Sequence, residues 1–313
     1  MKNPRRLFLT QVAGIAGIAA LNKPLAAIAS VSKHINTIYS ADRAVTIYNT
    51  NDLHGKIDGG YNNAGGLNSL KKLLENQDTS GLLMDAGDFL DSSGSKSRQK
   101  DMIRAMNSMG YCVATPGNHE LALGQKNLAA LIPIMRFAMV NCNYQFDPIL
   151  SSWIRPYVVV HTGNFRVGIT GVGQPIKGIV YKDAFMCANE TARLLKTREN
   201  CDLVICLSHL GFKNEDGAPD NKKLAQHSEH IDMIIGGHNR KVMNAPMIVL
   251  NKQKKEVILS QAGWDGLMMG KTVFDFESKQ KTGIKAEHFL AENSSGHKFI
   301  ADVHALRLKE KAA

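Results

Sequence analysis

Cysteine, tryptophan and proline are scarce in this 313-residue sequence: it holds five, two and nine of them, and aromatic residues of every kind make up 6%. The cysteines, Cys112, Cys142, Cys187, Cys201 and Cys206, are odd in number, irregularly spaced and without a CxxC pair. That excludes a disulfide scaffold, and the pattern specifies no bridge even where export permits one. Cys201 and Cys206 flank the apolar run DLVI and read as buried small apolar residues. With 44% hydrophobic and 21% charged residues, little proline and no glycine period, disorder and collagen are excluded as well. After the first thirty residues no segment reaches the ~18 uninterrupted apolar residues of a membrane span, so none is expected in the mature chain. Acids are outnumbered by bases, 28 against 38, for a formal charge of +10. Residues 1–29 hold four of those bases, Lys2, Arg5, Arg6 and Lys23, and no acid, which leaves +6 for the rest. That excess is too mild to argue for a nucleic-acid partner.

The N-terminus differs from the remainder. A basic start, NPRRLFLT, runs into VAGIAGIAAL and then LAAIAS, where Ala27 and Ala29 suit a small-residue cleavage site. Residues 1–29 read as an export signal, and Arg5–Arg6 followed by Leu7, Phe8 and Leu9 is similar to the twin-arginine type. No cysteine lies near the cleavage site, so no lipid anchor is indicated. The mature protein is expected in the bacterial periplasm or outside the cell, with residues 30–43 as an exposed leading segment.

From residue 44 apolar strands alternate with periodic helical stretches. VTIYNT (45–50), GLLMDAG (81–87), CVATPG (112–117), FAMVNC (137–142), YVVVH (157–161), FRVGITGV (165–172), DLVICLSH (202–209) and DMIIGG (232–237) read as buried strands. Residues 66–76, 99–110, 188–200 and 221–230 read as surface helices. The repetition predicts an α/β sheet layered by helices. After residue 245 strand follows strand (APMIVLN, EVILSQAG, MMGKTVFDFE, IKAEHFL), which reads as a second sheet of the same core. One domain over 44–295 and a terminal helix over 296–313 complete the expectation.

Polar residues collect where those strands stop. Asp52 and His54 follow the first strand in NTNDLHG, Asp88 the second in DAGD, and Asn118, His119 and Glu120 the third in TPGNHE; His209 ends a strand in CLSHLG and His238 another in IIGGHN. In an α/β sheet the carboxyl ends of strands border the ligand crevice, so these groups can converge. Oxygen donors mixed with imidazoles suit Mn, Fe or Zn, whereas an all-carboxylate set would suit Ca or Mg. Each piece alone reads as a turn, a cap or a hydrogen-bonded structural histidine. Their order is what points to a metal centre.

With those motifs in view, the sequence resembles the calcineurin-like metallophosphoesterases, and within them the catalytic domain of the 5′-nucleotidase and UDP-sugar hydrolase family. NTNDLHG, NAGGLNSL, LLMDAGDFLDSS, AMNSMGYCVATPGNHE, NCNY, IRPYVVV, VGITGVG, VICLSHLG, IDMIIGGH and SQAGWDG fall in the family's order over roughly residues 44–277. The resemblance implies a four-layer α-β-β-α sandwich of two mixed β-sheets flanked by helices. It also implies two divalent cations (Mn, Zn or Fe), with Asp52 and His54 on the first, Asp88 bridging, and Asn118, His209 and His238 on the second. Such a pair, ~3.5–4 Å apart, lowers the pKa of a shared water and clamps the attacking and leaving oxygens of an in-line displacement. His119 would be the catalytic residue, stabilising developing charge or protonating the leaving group. Glu120 has no ligand role in that pattern and is expected to serve structure.

Two positions depart from the pattern. The family places an Asp three residues past the catalytic His, and here Ala122 stands there, so nothing local fixes the tautomer of His119. It places a Gln or His two residues past the GGH histidine, and here stands Arg240, which has no lone pair for a cation and could instead bind a phosphate oxygen bidentately. The family's C-terminal nucleotide-binding domain is expected to be absent, and no aromatic pair for stacking a base can be named. Substrate choice would then fall to loops 88–99 and 211–220, or to a separate protein that supplies the domain. The expected function is an exported dimetal phosphoesterase acting on nucleotides or related small phosphate esters. The alternatives are a weakly catalytic or non-catalytic metal-binding subunit and a thiosulfohydrolase-like enzyme of the same branch.

Overall fold

A computed structural model describes residues 43–59 and 64–291; the leader, the leading segment up to residue 42 and the expected terminal helix lie outside the described residues. Strands β1 (Ala44–Thr50), β2 (Leu82–Asp85), β3 (Tyr111–Ala114) and β4 (Ala138–Met139) run parallel in one six-stranded sheet. β13 (Met268–Glu277) pairs antiparallel with β1, and β14 (Gln280–Leu290) completes that sheet in the order β14-β13-β1-β2-β3-β4. The second sheet takes β6 (Tyr157–Thr162), β7 (Phe165–Gly173), β9 (Leu203–His209), β10 (Met233–Gly236), β11 (Met247–Leu250) and β12 (Glu256–Ser260) in the order β11-β12-β10-β9-β7-β6. β5 (Tyr144–Gln145) and β8 (Val180–Tyr181) form a small antiparallel pair of their own.

Continuous apolar runs make both sheets buried on two faces. Val45 and Ile47 of β1, Leu82 and Met84 of β2, and Ile205, Leu207, Met233 and Ile235 of the second sheet pack into one cluster between the sheets. The opposite face of the first sheet, with Tyr48, Leu83 and Ala114, is covered by Leu67 and Leu70 of α1 (Gly66–Glu75) and by Met102, Ile103 and Met106 of α2 (Lys96–Met109). Val204, Cys206 and Ile234 on the outer face of the second sheet meet Ala184, Ala188, Ala192 and Leu195 of α6 (Ala184–Thr197) and Leu224 of α7 (Asn221–His227). Short helices α3 (Asn118–Leu121), α4 (Gln125–Leu131) and α5 (Pro148–Ser151) follow the third and fifth strands. The layers are therefore helix, sheet, sheet, helix, as the resemblance implied. All five thiols are free, and Cys201 and Cys206 lie in the outer core of the second sheet, where burial pushes both thiols up.

One expectation fails. The strands after residue 245 do not make a sheet of their own: β11 and β12 extend the second sheet, while β13 and β14 cross over to the first. β12 lies parallel to β10 and β13 antiparallel to β1, with Phe274 and Phe276 of β13 turned into the cluster between the sheets. Period-two apolar alternation marks a strand but carries no information about which sheet it joins. Helix starts also move toward the N-terminus, to residue 96 rather than 99 and to 184 rather than 188. Ser95 accepts from Arg98 N at 3.4 Å and Asp183 from Met186 N at 2.7 Å, and each fixes the start of its helix.

Ile205 is fully buried between the sheets, so Ile205→Ala should cost about 2–5 kcal/mol of stability in urea unfolding. A loss below about 1 kcal/mol would contradict a close-packed interface there.

Candidate functional site

Five strand ends meet at one edge of the sandwich, three from the first sheet and two from the second. Main-chain bonds draw their loops together: Asp52 N donates to Gly87 O, His54 N to Asp88 O and Gly55 N to Phe89 O, each at 2.9 Å, so the loop after β1 lies along the loop after β2. Below them Asp85, fully buried, accepts from Thr50 Oγ1 at 2.6 Å and from Gly87 N at 2.8 Å. Glu120, also buried, accepts from Asp88 N and Gly117 N at 2.8 Å and from Leu90 N at 2.7 Å. It clamps the loop carrying Asp88 to the one carrying Asn118 and His119, which is the structural part expected of it. Burial and the Asp88 charge push its carboxyl up to about 7, against the three donors that favour ionisation.

Asp88 is the centre of the arrangement. Its Oδ1 accepts from His119 N at 2.7 Å, while Oδ2 lies 3.1 Å from His209 Nε2 and 3.8 Å from His119 Nε2. Ligand atoms of His54, Asp88 and His119 lie within 4.8 Å of one another, and so do those of Asp88, His209 and His238. One carboxylate thus serves two clusters. Asn118 joins the second through Oδ1, 3.1 Å from His238 Nδ1. Asp52 stands behind both, its carboxylate receiving His238 N at 3.0 Å and Asn51 Nδ2 at 2.7 Å and approaching His54 Nε2 at 4.0 Å. His54, Asp88, His209 and His238 fall in these clusters and Asn118 borders the second, whereas Asp52 belongs to neither and the first includes His119, which was expected to be catalytic.

The chemistry of the donors fits cations. His209 Nδ1 is bonded to Ala86 O at 2.7 Å, yet its buried Nε2, facing Asp88, makes no hydrogen bond of good geometry among the described residues. A lone pair on that nitrogen would face another on the carboxylate 3.1 Å away, which a shared cation or a proton on Nε2 would relieve. Burial disfavours a charged His209, but the Asp88 carboxylate outweighs it and raises the imidazole to about 10. In the bare chain a proton therefore occupies the place a cation would take. His238 is the reverse: burial and the neighbouring His209 lower it to about 4, leaving a neutral imidazole ready to ligate.

The backbone is bent to this purpose. Asp52, His54, Asp88 and His238 have φ of 53°, 46°, 58° and 89°, a region non-glycine residues seldom enter. At Gly117 a Cβ would collide with Asp88 Oδ1 and lie 2.7 Å from His209 Nε2, so only glycine lets this loop approach.

The two departures have visible consequences. Ala122 is exposed, and His119 Nδ1 is buried without a hydrogen-bond partner among the described residues, so the ring is held by packing and by its tilt against His54 at 4.8 Å. Arg240 is exposed at φ 51°, and its side chain makes no hydrogen bond or ion pair among the described residues. A cavity of about 280 Å³ opens beside His54, lined by Lys56, Asp91 and Arg98 among others. Asp91 and Arg98 come from the 88–99 segment singled out for substrate choice, Arg98 from its part that opens α2, and none of the lining residues comes from 211–220. Two residues escaped the reading of the sequence. Gln174 Nε2 is 3.3 Å from His238 Nδ1, and Asp265 Oδ1 is 2.8 Å from His54 Nδ1. Gln174 directly follows β7 and Asp265 lies in the loop after β12. The same strand-end signal applied to amides and longer loops would have found both.

Comparison with known proteins gives a consistent result. A family model described as calcineurin-like phosphoesterase matches residues 45–239. The trifunctional nucleotide phosphoesterase protein YfkN of Bacillus subtilis is 25% identical over 278 positions, covering 75% of this chain and 18% of that protein. A 5′-nucleotidase of Vibrio cholerae is 27% identical over 241 positions, covering 67% of this chain and 43% of its own length. The chain spans less than half the length of these curated relatives. Among solved structures, a 5′-nucleotidase precursor from Thermus thermophilus shares the fold with a TM-score of 0.70 at 24% identity, over 86% of this chain and 59% of that one.

Two outcomes follow from the geometry. Because a cation must displace the His209 proton, apparent Mn affinity should rise with pH below about 10 and proton release should be measurable by calorimetry in buffers of different ionisation enthalpy; an affinity indifferent to pH from 6 to 8 would contradict it. Gly117→Ala should abolish cation uptake at the second cluster, read by equilibrium dialysis, and undiminished uptake would show that the close approach is not needed.

Proposed function

The chain belongs to the calcineurin-like phosphoesterases, and on that premise we propose that it hydrolyses nucleotides or related small phosphate esters with two divalent cations held at its strand ends. The observation that carries this reading is Asp88, shared by two clusters, with the buried His209 Nε2 3.1 Å from its carboxylate. Asp52, His54 and Asp88 would hold one cation, and Asp88, Asn118, His209 and His238 the other, with Mn, Fe or Zn suited to the mixed donors. When bound, such a pair neutralises phosphoryl oxygens and activates water.

The chain's own side chains supply the rest. His119 keeps Nε2 toward the clusters and its side chain is 22% exposed, so a substrate can reach it. It would hold a proton at Nε2 and give it to the leaving oxygen. With nothing bonded to Nδ1, the ring is free to exchange tautomers, and only the one protonated at Nε2 can donate. Arg240 would reach a phosphate oxygen with its planar guanidinium. The cavity beside His54, with Lys56 and Arg98 on its wall, would take the remainder of the substrate. The leader over residues 1–29 would place the enzyme in the periplasm or outside the cell, and export of the twin-arginine type would carry the chain already folded, which would permit cations to load before export.

Hydrolysis of a chromogenic phosphodiester and of a panel of nucleotides by the Mn-loaded protein tests this directly. His119→Ala should lower kcat by about 100-fold or more, and Asn118→Ala should lower cation affinity. Activity indifferent to both substitutions would remove the assignment. Ala122→Asp should raise kcat roughly tenfold or more by giving His119 Nδ1 a partner; a fall in kcat would show that His119 works differently.

A further inference from the structure

The motif SQAGWDG has no part in the ligand set, yet its loop is bound tightly to the site. It joins β12 in the second sheet to β13 in the first. Ala262 N donates to Asn51 Oδ1 and Asn51 Nδ2 to Gly263 O, both at 2.7 Å. Asp265 N donates to Asp52 O at 2.7 Å, and Asp265 O accepts from Gly66 N at 2.8 Å. Asp265 itself sits at φ 52° between Gly263 and Gly266, both at 69°, so the loop is bent to present one carboxylate. That carboxylate lies 2.8 Å from His54 Nδ1, with the two side chains only 18% and 9% exposed.

We propose that Asp265 is the positioning residue for His54: it keeps hydrogen on Nδ1, fixes the ring, and directs the Nε2 lone pair into the cluster with Asp88. The inference rests on the dimetal reading for its purpose, although the hold on the ring is a property of the chain alone. A carboxylate accepting from Nδ1 selects the tautomer whose Nε2 is free and makes that nitrogen a better donor. The other two imidazoles are held differently: His209 bonds Ala86 O, and His238 faces the amides of Asn118 and Gln174. Only His54, among the three, has an anionic partner on its outer nitrogen. The need is greatest there, because Arg240 offers no lone pair and, with His119 kept for proton transfer, His54 is the neutral donor assigned beside Asp52 and Asp88 for the first cation. The Asp265 carboxylate thus strengthens the side of the centre that the Arg240 departure weakens.

The test uses the full chain without metal and then with Zn. In ¹⁵N-resolved imidazole spectra, with His54→Ala for assignment, the metal-free protein should show His54 protonated at Nδ1. Asp265→Ala should remove that preference and weaken one of two Zn-binding steps by about 10–100-fold while sparing the other. Asp265→Asn, which keeps an acceptor but no charge and guards against misfolding of the alanine variant, should fall between. An unchanged tautomer in both variants would overturn the inference, as would equal weakening of both steps together with a lowered Tm, the mark of a loop staple. A wild-type chain that binds fewer than two Zn ions would instead defeat the dimetal reading, and the tautomer measurement would still decide the role of Asp265.

Discussion

Asp88 carries its charge where almost no water reaches it, 3.1 Å from one imidazole and 3.8 Å from another. Burial penalises ionisation of this carboxyl, yet the His209 imidazole holds it below the usual carboxylate range. A charge in such a place is tolerated only if it is paired. The bare chain pairs it with a proton on His209, and a cation on either side would do the same with more charge to spare. The separate sheets, the loop lengths and the buried Glu120 all serve to keep that one carboxylate between two groups of donors.

Holding it there strains the backbone. Left-handed φ at Asp52, His54, Asp88 and His238 costs on the order of 1–2 kcal/mol each. Side chains cannot relax outward either, since Gly117 brings its main chain against both Asp88 and His209. What offsets this is the packing beneath: two sheets with a shared apolar cluster, each covered by helices on its far face. Because three loops come from one sheet and two from the other, the site also depends on how the sheets sit on each other. Ala262, Gly263 and Asp265, in the loop that crosses from β12 to β13, hydrogen-bond the segment from Asn51 to His54 and help to fix that relation.

Much of this was legible in the sequence because the strands are continuous apolar runs that stop abruptly at a polar residue. Asp52, Asp88, Asn118, His209 and His238 could be read as one constellation from order alone, and the free Nδ1 of His119 follows from a single residue, Ala122. Other features could not be read. Glu120 shows a position in sequence but not the three N–H groups that make it a clamp. Gln174 and Asp265 follow strands and so could have been singled out, but their partners lie 64 and 211 residues away, and no local pattern encodes which histidine each one meets. The partition of the last four strands between two sheets was misread for the same reason: alternation reports burial, not neighbours.

The central claim is that one carboxylate serves two cations. Anomalous diffraction from crystals of the Mn-loaded protein measures this most directly, because it locates each ion without reference to activity. Two peaks on opposite sides of the Asp88 carboxylate are the expected result. A single peak, or two peaks of which only one lies within reach of Asp88, would contradict the account.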